Sequence, residues 1–336
     1  MKKIIKVAIV GTGHIADQFH LPGWIKNKNT KVVSICDSNI KKLNTASKKF
    51  KIKSKYLNLK TMLKNEDIDI LNISTPPFLH FEQIMLAIKN NINIFSEKPF
   101  VILEEHFKRI KKAIGKKKIT CTCALHQRFR PVSINIKELL KKKIIGDIYY
   151  VNIIKRQFRG IPNHSKFFSE KKFSGGGPLI DLGSHYLDLV FWFLNFPKIK
   201  KFSNKNFNNI TTMKRNKKYL PFKKFNSEEL SVGEILCKNN SLIRYEIGYA
   251  LNQNKNIAKI EMFGTKGSIT FPSGELILTQ NNKNILKKIN TKGKKASILQ
   301  IDDFIKNYKF KDKTCVKLNE IGYMTKLINK LYKASK

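Results

Sequence analysis

The stretch Val7-Ala8-Ile9-Val10-Gly11-Thr12-Gly13-His14-Ile15-Ala16 decides the fold class. Residues 4–10 form an apolar run broken only by Lys6, which reads as a buried strand. Gly11-x-Gly13-x-x-Ala16 follows with the spacing of a dinucleotide-binding turn. Gly11 permits a tight turn, Gly13 lets a pyrophosphate approach the backbone, and Ala16 is small enough for close helix–strand packing. A helix from Ile15 onward presents unpaired N–H groups and the positive end of its dipole to the phosphates. Thr12 and His14 belong to the same turn, with His14 expected at phosphate or solvent rather than in chemistry.

Working outward, Lys31–Asp37 reads as a second strand that ends on an acid. An acid there can bind both ribose hydroxyls and repels a 2′-phosphate, so Asp37 favours NAD over NADP. Ser38, Lys41 and Lys42 are close enough to soften that preference, and NADP stays open. Helical patterns at 40–50, 59–65, 81–90 and 103–114 then alternate with strands at 68–74, 92–95 and 119–124. That alternation predicts a doubly wound parallel sheet of the Rossmann type. After about residue 125 the pattern changes. A helix at 132–143 and a strand at 148–154 lead to a helix opening near Pro178. Strand-like segments follow at 230–238, 241–251, 257–263, 267–271 and 276–279, and helices at 298–308 and 320–333. The fold class expected is α/β: an N-terminal Rossmann domain over 1–124, and a C-terminal α+β domain over 125–336 with a large open, mostly antiparallel sheet. Residues 201–229, polar and weakly patterned, read as a mobile insertion.

The chain has 336 residues and a formal net charge of +42. Lysine carries that charge, since only 7 of the 66 basic residues are arginine. The lysines are spread over the whole chain without a basic tail or a nucleic-acid-binding motif, which suits an AT-rich genome better than a polyanion partner. Neither a nucleic acid nor a membrane is therefore expected as a partner, though the charge would draw anionic small molecules. No apolar run approaches the roughly 20 residues of a bilayer span. The N-terminus reads as a strand rather than a signal peptide, and a cytoplasmic location is expected. Cys36, Cys121, Cys123, Cys237 and Cys315 form no Cys-x-x-Cys pair and read as reduced packing residues, with no metal site expected. Where lysine is so freely used, an arginine that persists suggests a need for a planar, bidentate fork. Four arginines lie close in sequence: Arg128, Arg130, Arg156 and Arg159. Arg128, Arg156 and Arg159 are candidates to face a substrate, with structural ion pairing as the alternative.

Further segments stand out: Thr75-Pro76-Pro77-Phe78-Leu79-His80, Glu97-Lys98-Pro99, His126-Gln127-Arg128-Phe129-Arg130-Pro131, and the run Gly175-Gly176-Gly177-Pro178-Leu179-Ile180-Asp181-Leu182-Gly183-Ser184-His185. With the glycine turn and the late Phe263–Ser268 segment, their order and spacing resemble the Gfo/Idh/MocA oxidoreductase family over nearly the whole chain. The residues themselves suit such chemistry. Lys98 lies beyond a strand end, on the edge where ligands bind, and its ammonium can hydrogen-bond a hydroxyl or the carbonyl formed from it. Asp181 and His185 are four apart in a stretch that reads as one helix, which puts both on one face. An imidazole is a natural proton acceptor for an alcohol giving up hydride, and a carboxylate beside it can orient the substrate. Capping or packing is the plainer reading of that pair, and Asp188 reads as a supporting contact.

The resemblance implies a cofactor site made of Gly11, Thr12, Gly13, His14, Ile15, Asp37, Ser38, Thr75, Pro76, His80, Glu97, Lys98 and His126. It implies Lys98, Asp181 and His185 as catalytic residues, with His185 the acid/base. The activity implied is hydride transfer between NAD(P) and a secondary alcohol or ketone of a sugar, inositol or related polyol, in a homodimer or homotetramer. His126 departs from the family's usual Asn, which adds a second titrating group. Bonding of His80 to the backbone is an equal alternative to cofactor contact. A member that recycles its NAD during glycoside cleavage or epimerisation, and a non-catalytic NAD-binding regulator, are the alternative functions. His20, His106 and His164 belong to no constellation.

Overall fold

The computed structural model describes residues 4–115, 117–162, 166–213, 225–310 and 316–335. His164 and Cys315 lie outside the described residues, as does 214–224 of the expected insertion. The chain divides into two compact units, Met1–Leu125 with Ser297–Thr325, and His126–Ala296 with Lys326–Lys336. The expected division into 1–124 and 125–336 differs from this by the return of Ser297–Thr325 to the first unit.

The first unit is built on a six-stranded sheet: β1 (Ile5–Val10), β2 (Thr30–Cys36), β3 (Ser54–Tyr56), β4 (Ile70–Ile73), β5 (Asn93–Ser96) and β6 (Cys121–Cys123), in the order β3-β2-β1-β4-β5-β6. Every pairing is parallel. β1 and β4 are buried at nearly every position, as a sheet covered on both faces requires. The order reverses between β1 and β4, so the loops leaving these strands flank the crevice where doubly wound sheets take ligands. The sequence missed short β3. The core gathers Ile9, Trp24, Ile35 and Phe95 with Ile301 and Phe304 of the helix Ala296–Phe310. Trp24 meets Phe95 and Phe304 edge-on and donates its indole N–H to Asn72 at 2.9 Å.

The second unit carries an eight-stranded sheet: β7 (Ile148–Arg156), β8 (Ile199–Phe207), β9 (Leu230–Cys237), β10 (Leu242–Gly248), β11 (Ile257–Gly264), β12 (Gly267–Phe271), β13 (Glu275–Gln280) and β14 (Lys283–Lys288). The order is β14-β13-β12-β11-β7-β10-β9-β8, and only β7 and β10 pair in parallel. The reading of 201–229 as an insertion is corrected at its start, because β8 is an edge strand of this sheet. Its alternation of lysine with Phe202 and Asn204 is that of a strand with one wet face, which the polar composition hid. Val151 and Ile153 of β7, Ile243, Tyr245 and Ile247 of β10, and Ile260 and Met262 of β11 are fully buried at alternate positions. They define one covered face. The helix Gly183–Phe193 is buried at almost every position, which accounts for its apolar composition on all sides.

Among the described residues no helix is long and apolar enough to cross a membrane. Gly11 shows how tightly the first unit's switch point is built. Its φ is +88°, and an added Cβ would lie 2.6 Å from the carbonyl carbon of Ser74 at the end of β4. Gly11→Ala is expected to cost about 2–4 kcal/mol, read from denaturant unfolding, through forbidden backbone geometry and backbone collision together. An unchanged midpoint would contradict this account of the turn.

Candidate functional site

In the first unit, Asp37 at the end of β2 holds the glycine turn. Its Oδ2 accepts the Thr12 N–H at 2.8 Å and the Thr12 hydroxyl at 3.1 Å, and its Oδ1 accepts the Asn39 N–H at 2.8 Å. A Cβ built on Gly13 would meet nothing within 4 Å, so the turn is open on that side, as a phosphate-binding turn must be. His14 and Ser38 are exposed beside it. The helix that follows opens into one wide π turn at Ala16–His20. That turn carries His20 inward, where its Nε2 lies 2.8 Å from Glu97 Oε1. Glu97 Oε2 accepts the Lys98 N–H at 2.9 Å. His20 therefore belongs to a constellation after all, one whose partners lie far apart in sequence. The Lys98–Pro99 bond is cis.

Thr75 and Pro76 lead from β4 into the helix Pro77–Lys89. Thr75 donates its hydroxyl to Gln83 at 2.6 Å. His80, read equally as a cofactor contact or as a backbone-bonded residue, takes the second role: it is wholly buried, with Nδ1 2.9 Å from the Pro99 carbonyl and Nε2 2.8 Å from the Thr75 carbonyl. It ties the loop after β4 to the loop that carries Lys98. Burial holds its imidazole below the usual pKa, against the backbone carbonyls of Thr75 and Pro99 and the charge of Glu97.

In the second unit the helix expected around Asp181 and His185 is interrupted. Pro178–Asp181 forms one turn, and a second helix, Gly183–Phe193, starts after Leu182. The two residues thus flank an interruption in the helix, at which Leu182 keeps right-handed helical dihedrals. Asp181 accepts the Tyr249 hydroxyl at 2.6 Å. Burial, together with Asp181, keeps that hydroxyl well above its ordinary pKa, so Tyr249 serves as a donor. His185 meets His126 edge-on, ring centroids 4.6 Å apart. His126 opens the short turn His126–Phe129.

A buried carboxylate anchors the glycine run. Glu228 Oε1 accepts the N–H groups of Gly177 at 2.9 Å and Leu179 at 3.3 Å, and the Tyr332 hydroxyl at 2.6 Å. A Cβ on Gly177 would fall 2.0 Å from the Glu228 carbonyl oxygen, and one on Gly176 2.0 Å from the Tyr332 hydroxyl. Only glycine fits either place. Burial raises the Glu228 pKa, against the pull of Tyr332 and the two backbone donors.

The three arginines read as facing a substrate or pairing structurally all have partners within the protein. Arg128 is wholly buried and binds Asp188 through Nε at 2.8 Å and Nη2 at 2.6 Å, above the rings of Trp192 and Phe196. The planar fork is needed, but for a structural pair. Arg156 pairs with Glu246 at 3.0 Å. With Leu251, Gln253 and Lys255 it lines a cavity of about 470 Å³. Arg159 braces a loop, donating to the carbonyls of Phe158 and Leu251 and to Asn252. Sequence reasoning missed Tyr249, Glu228 and Tyr332. Tyr249 alone had a signal: it continues the covered-face alternation of Ile243, Tyr245 and Ile247.

Residues 5–125 match the family model described as the oxidoreductase family with an NAD-binding Rossmann fold. Residues 134–270 match that of the GFO/IDH/MocA C-terminal domain. The D-glucoside 3-dehydrogenase of Escherichia coli (strain K12) is 26% identical over 286 residues, 84% of this chain and 81% of that protein. Oxidoreductase P35 of Formosa agariphila is 24% identical over 292 residues, 85% of each chain. Among solved structures, levoglucosan dehydrogenase in complex with NADH and levoglucosan superposes with a TM-score of 0.86 over 99% of this chain and 97% of that one. At 18% identity that likeness is one of fold.

Two buried groups make testable predictions. All three donors to Glu228 share one oxygen, so Glu228→Gln can keep them and is expected within about 1 kcal/mol of the parent protein, whereas Glu228→Ala should lose about 2–3 kcal/mol by denaturant unfolding. Equal losses would show that the hydrogen bonds do not matter. His80 binds a proton less readily folded than unfolded, so its contribution to stability is complete above about pH 6.5 and lost as pH falls below that. The unfolding midpoint should drop as the pH falls below about 6.5, and drop less in His80→Gln. Identical profiles would remove His80 as the cause.

Proposed function

The chain belongs to the Gfo/Idh/MocA family, and from that premise we propose that it transfers hydride between nicotinamide and a secondary alcohol or ketone of a sugar, inositol or related polyol. The observation that carries this reading is the pair at the helix break: Asp181, held by the Tyr249 hydroxyl, and His185, edge-on to a second imidazole. The names of similar proteins, a glucoside dehydrogenase and a levoglucosan dehydrogenase, support the substrate class.

The residues of the glycine turn fit NAD. Gly13 leaves open space beside the backbone, and Asp37, following β2, is the acid that would bind the ribose hydroxyls of such a cofactor. Gly11, Thr12, Gly13, His14 and Ile15 would hold the pyrophosphate. Asp37 and Ser38 would hold the ribose, and Thr75, Pro76, Glu97, Lys98 and His126 would serve the nicotinamide end. Asp37 already carries one negative charge, which disfavours the 2′-phosphate of NADP. Bound NAD supplies the acceptor for the hydride that leaves the carbinol carbon. His185 takes the hydroxyl proton on a ring nitrogen. Lys98 donates to the reacting oxygen and stabilises the charge that grows there as the proton departs. Asp181 orients the substrate and favours the imidazolium form of His185. In the reverse direction His185 returns the proton. His20 and Glu97 act behind Lys98, fixing its backbone. A homodimer or homotetramer belongs to the same reading.

Lys98→Ala and His185→Ala are each expected to lower kcat on an oxidised sugar or polyol by about 10²–10⁴-fold, with NAD affinity little changed. A panel of sugars, inositols and their glycosides scored by NADH absorbance supplies the substrate. Near parental turnover in both variants would sink the assignment. Turnover of a glycoside without net NADH would instead favour a cofactor-recycling mechanism. In fluorescence titrations NAD should bind more tightly than NADP, and the reverse order would overturn the role of Asp37.

A further inference from the structure

Lysine is abundant in this chain, but Lys155 is unlike a surface lysine. It lies on β7, an interior strand of the second sheet. Val151 and Ile153 point to the covered face and are fully buried, and Lys155 is the next residue on that face. Its register partner on β10 is Ile247, and on β11 Ala258. Paired residues share a face, so the side chains of Lys155 and Ile247 stand side by side. Ile247 lies against the start of the helix that carries His185, its Cδ1 3.4 Å from where a Cβ on Gly183 would be. Two residues further along the same face, Tyr249 holds Asp181. Lys155 therefore stands in the neighbourhood of the Asp181–Tyr249 pair, at the end of the sheet where the helix breaks.

The contrast with Lys137 shows what is unusual. Lys137 is also buried, and its ammonium is fully provided for by the carbonyls of Trp192 and Phe193 and by Asn195 Oδ1. Among the described residues Lys155 has neither a hydrogen-bond acceptor nor an ion-pair partner, and Asp181 acts on it only through space. Burial lowers its pKa, and the charge of Asp181 raises it. A half-buried ammonium without acceptors destabilises a fold, and such groups concentrate where a ligand completes them.

We propose that Lys155 is a substrate-binding residue, donating a hydrogen bond to a hydroxyl oxygen next to the carbinol on which Asp181 and His185 act. The inference rests on the dehydrogenase reading and deepens it. The charges of Lys155 and Asp181 answer each other, so a neutral diol suits the pair better than a carboxylate, which Asp181 would repel. A hydroxyl is also both donor and acceptor, so neighbouring hydroxyls can serve the ammonium and the carboxylate at once. The substrate class becomes narrower: a sugar or polyol with vicinal hydroxyls, oxidised at one while the other is held by Lys155.

The test compares the parent enzyme with Lys155→Met, similar in length and without charge. The substrate is the best sugar or polyol of the panel, together with its monodeoxy analogues, one hydroxyl removed at a time. Lys155→Met is expected to lower kcat/KM about ten- to a hundredfold, mainly through KM, to leave NAD affinity within about twofold, and to raise the unfolding midpoint. One deoxy analogue should lose a similar factor with the parent enzyme and almost nothing further with the variant. Unchanged kcat/KM, or the same discrimination among deoxy analogues in both proteins, would overturn the proposal. So would failure of Lys155→Met to fold, which would mark the ammonium as structural. If the parent enzyme neither binds nor oxidises any member of the panel, the dehydrogenase reading falls, and this inference with it.

Discussion

One oxygen atom, Glu228 Oε1, receives two backbone N–H groups and a tyrosine hydroxyl at the point where the glycine run turns into the helix carrying Asp181. Three donors on one buried acceptor leave that turn little freedom. The close approach of Tyr332 and the Glu228 backbone excludes any side chain from Gly176 and Gly177, so the glycines and the carboxylate define one geometry together. The placement of Asp181, and through it of Tyr249, follows from that anchor. The first unit solves the same problem in the same way. Asp37 takes the backbone N–H and the hydroxyl of Thr12, and so shapes the phosphate-binding turn before any phosphate is there. In both units a scarce acid is used to organise backbone, which removes flexibility that a ligand would otherwise have to quench on binding.

The scarcity matters. Against 66 basic residues the chain has 24 acids. Those buried near the candidate residues all have visible tasks: Asp188 holds Arg128, Glu97 joins His20 to the Lys98 backbone, and Glu229 accepts the N–H groups of Ile210 and Thr211. The lysines are the opposite population, mostly solvated and carrying little individual meaning. Lys137, buried, and Lys155, half-buried, stand apart from it.

Local pattern made the first unit legible. A buried strand, a glycine turn and an acid at the next strand end are short-range features, and each is written within a few residues. The second unit's hairpin from β11 to β12 was visible for the same reason. What local pattern does not carry depends on distant partners. His20 meets Glu97 77 residues away, and Tyr332 meets Glu228 104 residues away. Arg128, open from sequence to a ligand or to an ion pair, puts its fork on Asp188, 60 residues on. The break at Leu182 was hidden because four-residue spacing reads as one helix whether or not the helix is continuous. β8 was hidden by composition, since a wet edge strand rich in lysine and asparagine lacks the apolar run that marks a buried one. Lys155 was within reach of pattern alone, being the polar residue that continues the alternation of Val151 and Ile153.

The division of the chain also bears on how it is made. Trp24 and Phe95 pack against Phe304, so the first unit's core is not closed by the first 125 residues. The six strands leave the ribosome well before the helix that covers part of them. At about 5–20 residues per second, the wait is on the order of ten to thirty seconds. During that interval an aromatic surface waits for its partner while the second unit is still being synthesised. The interior of the first unit is therefore completed only by a segment that is synthesised after the strands of the second.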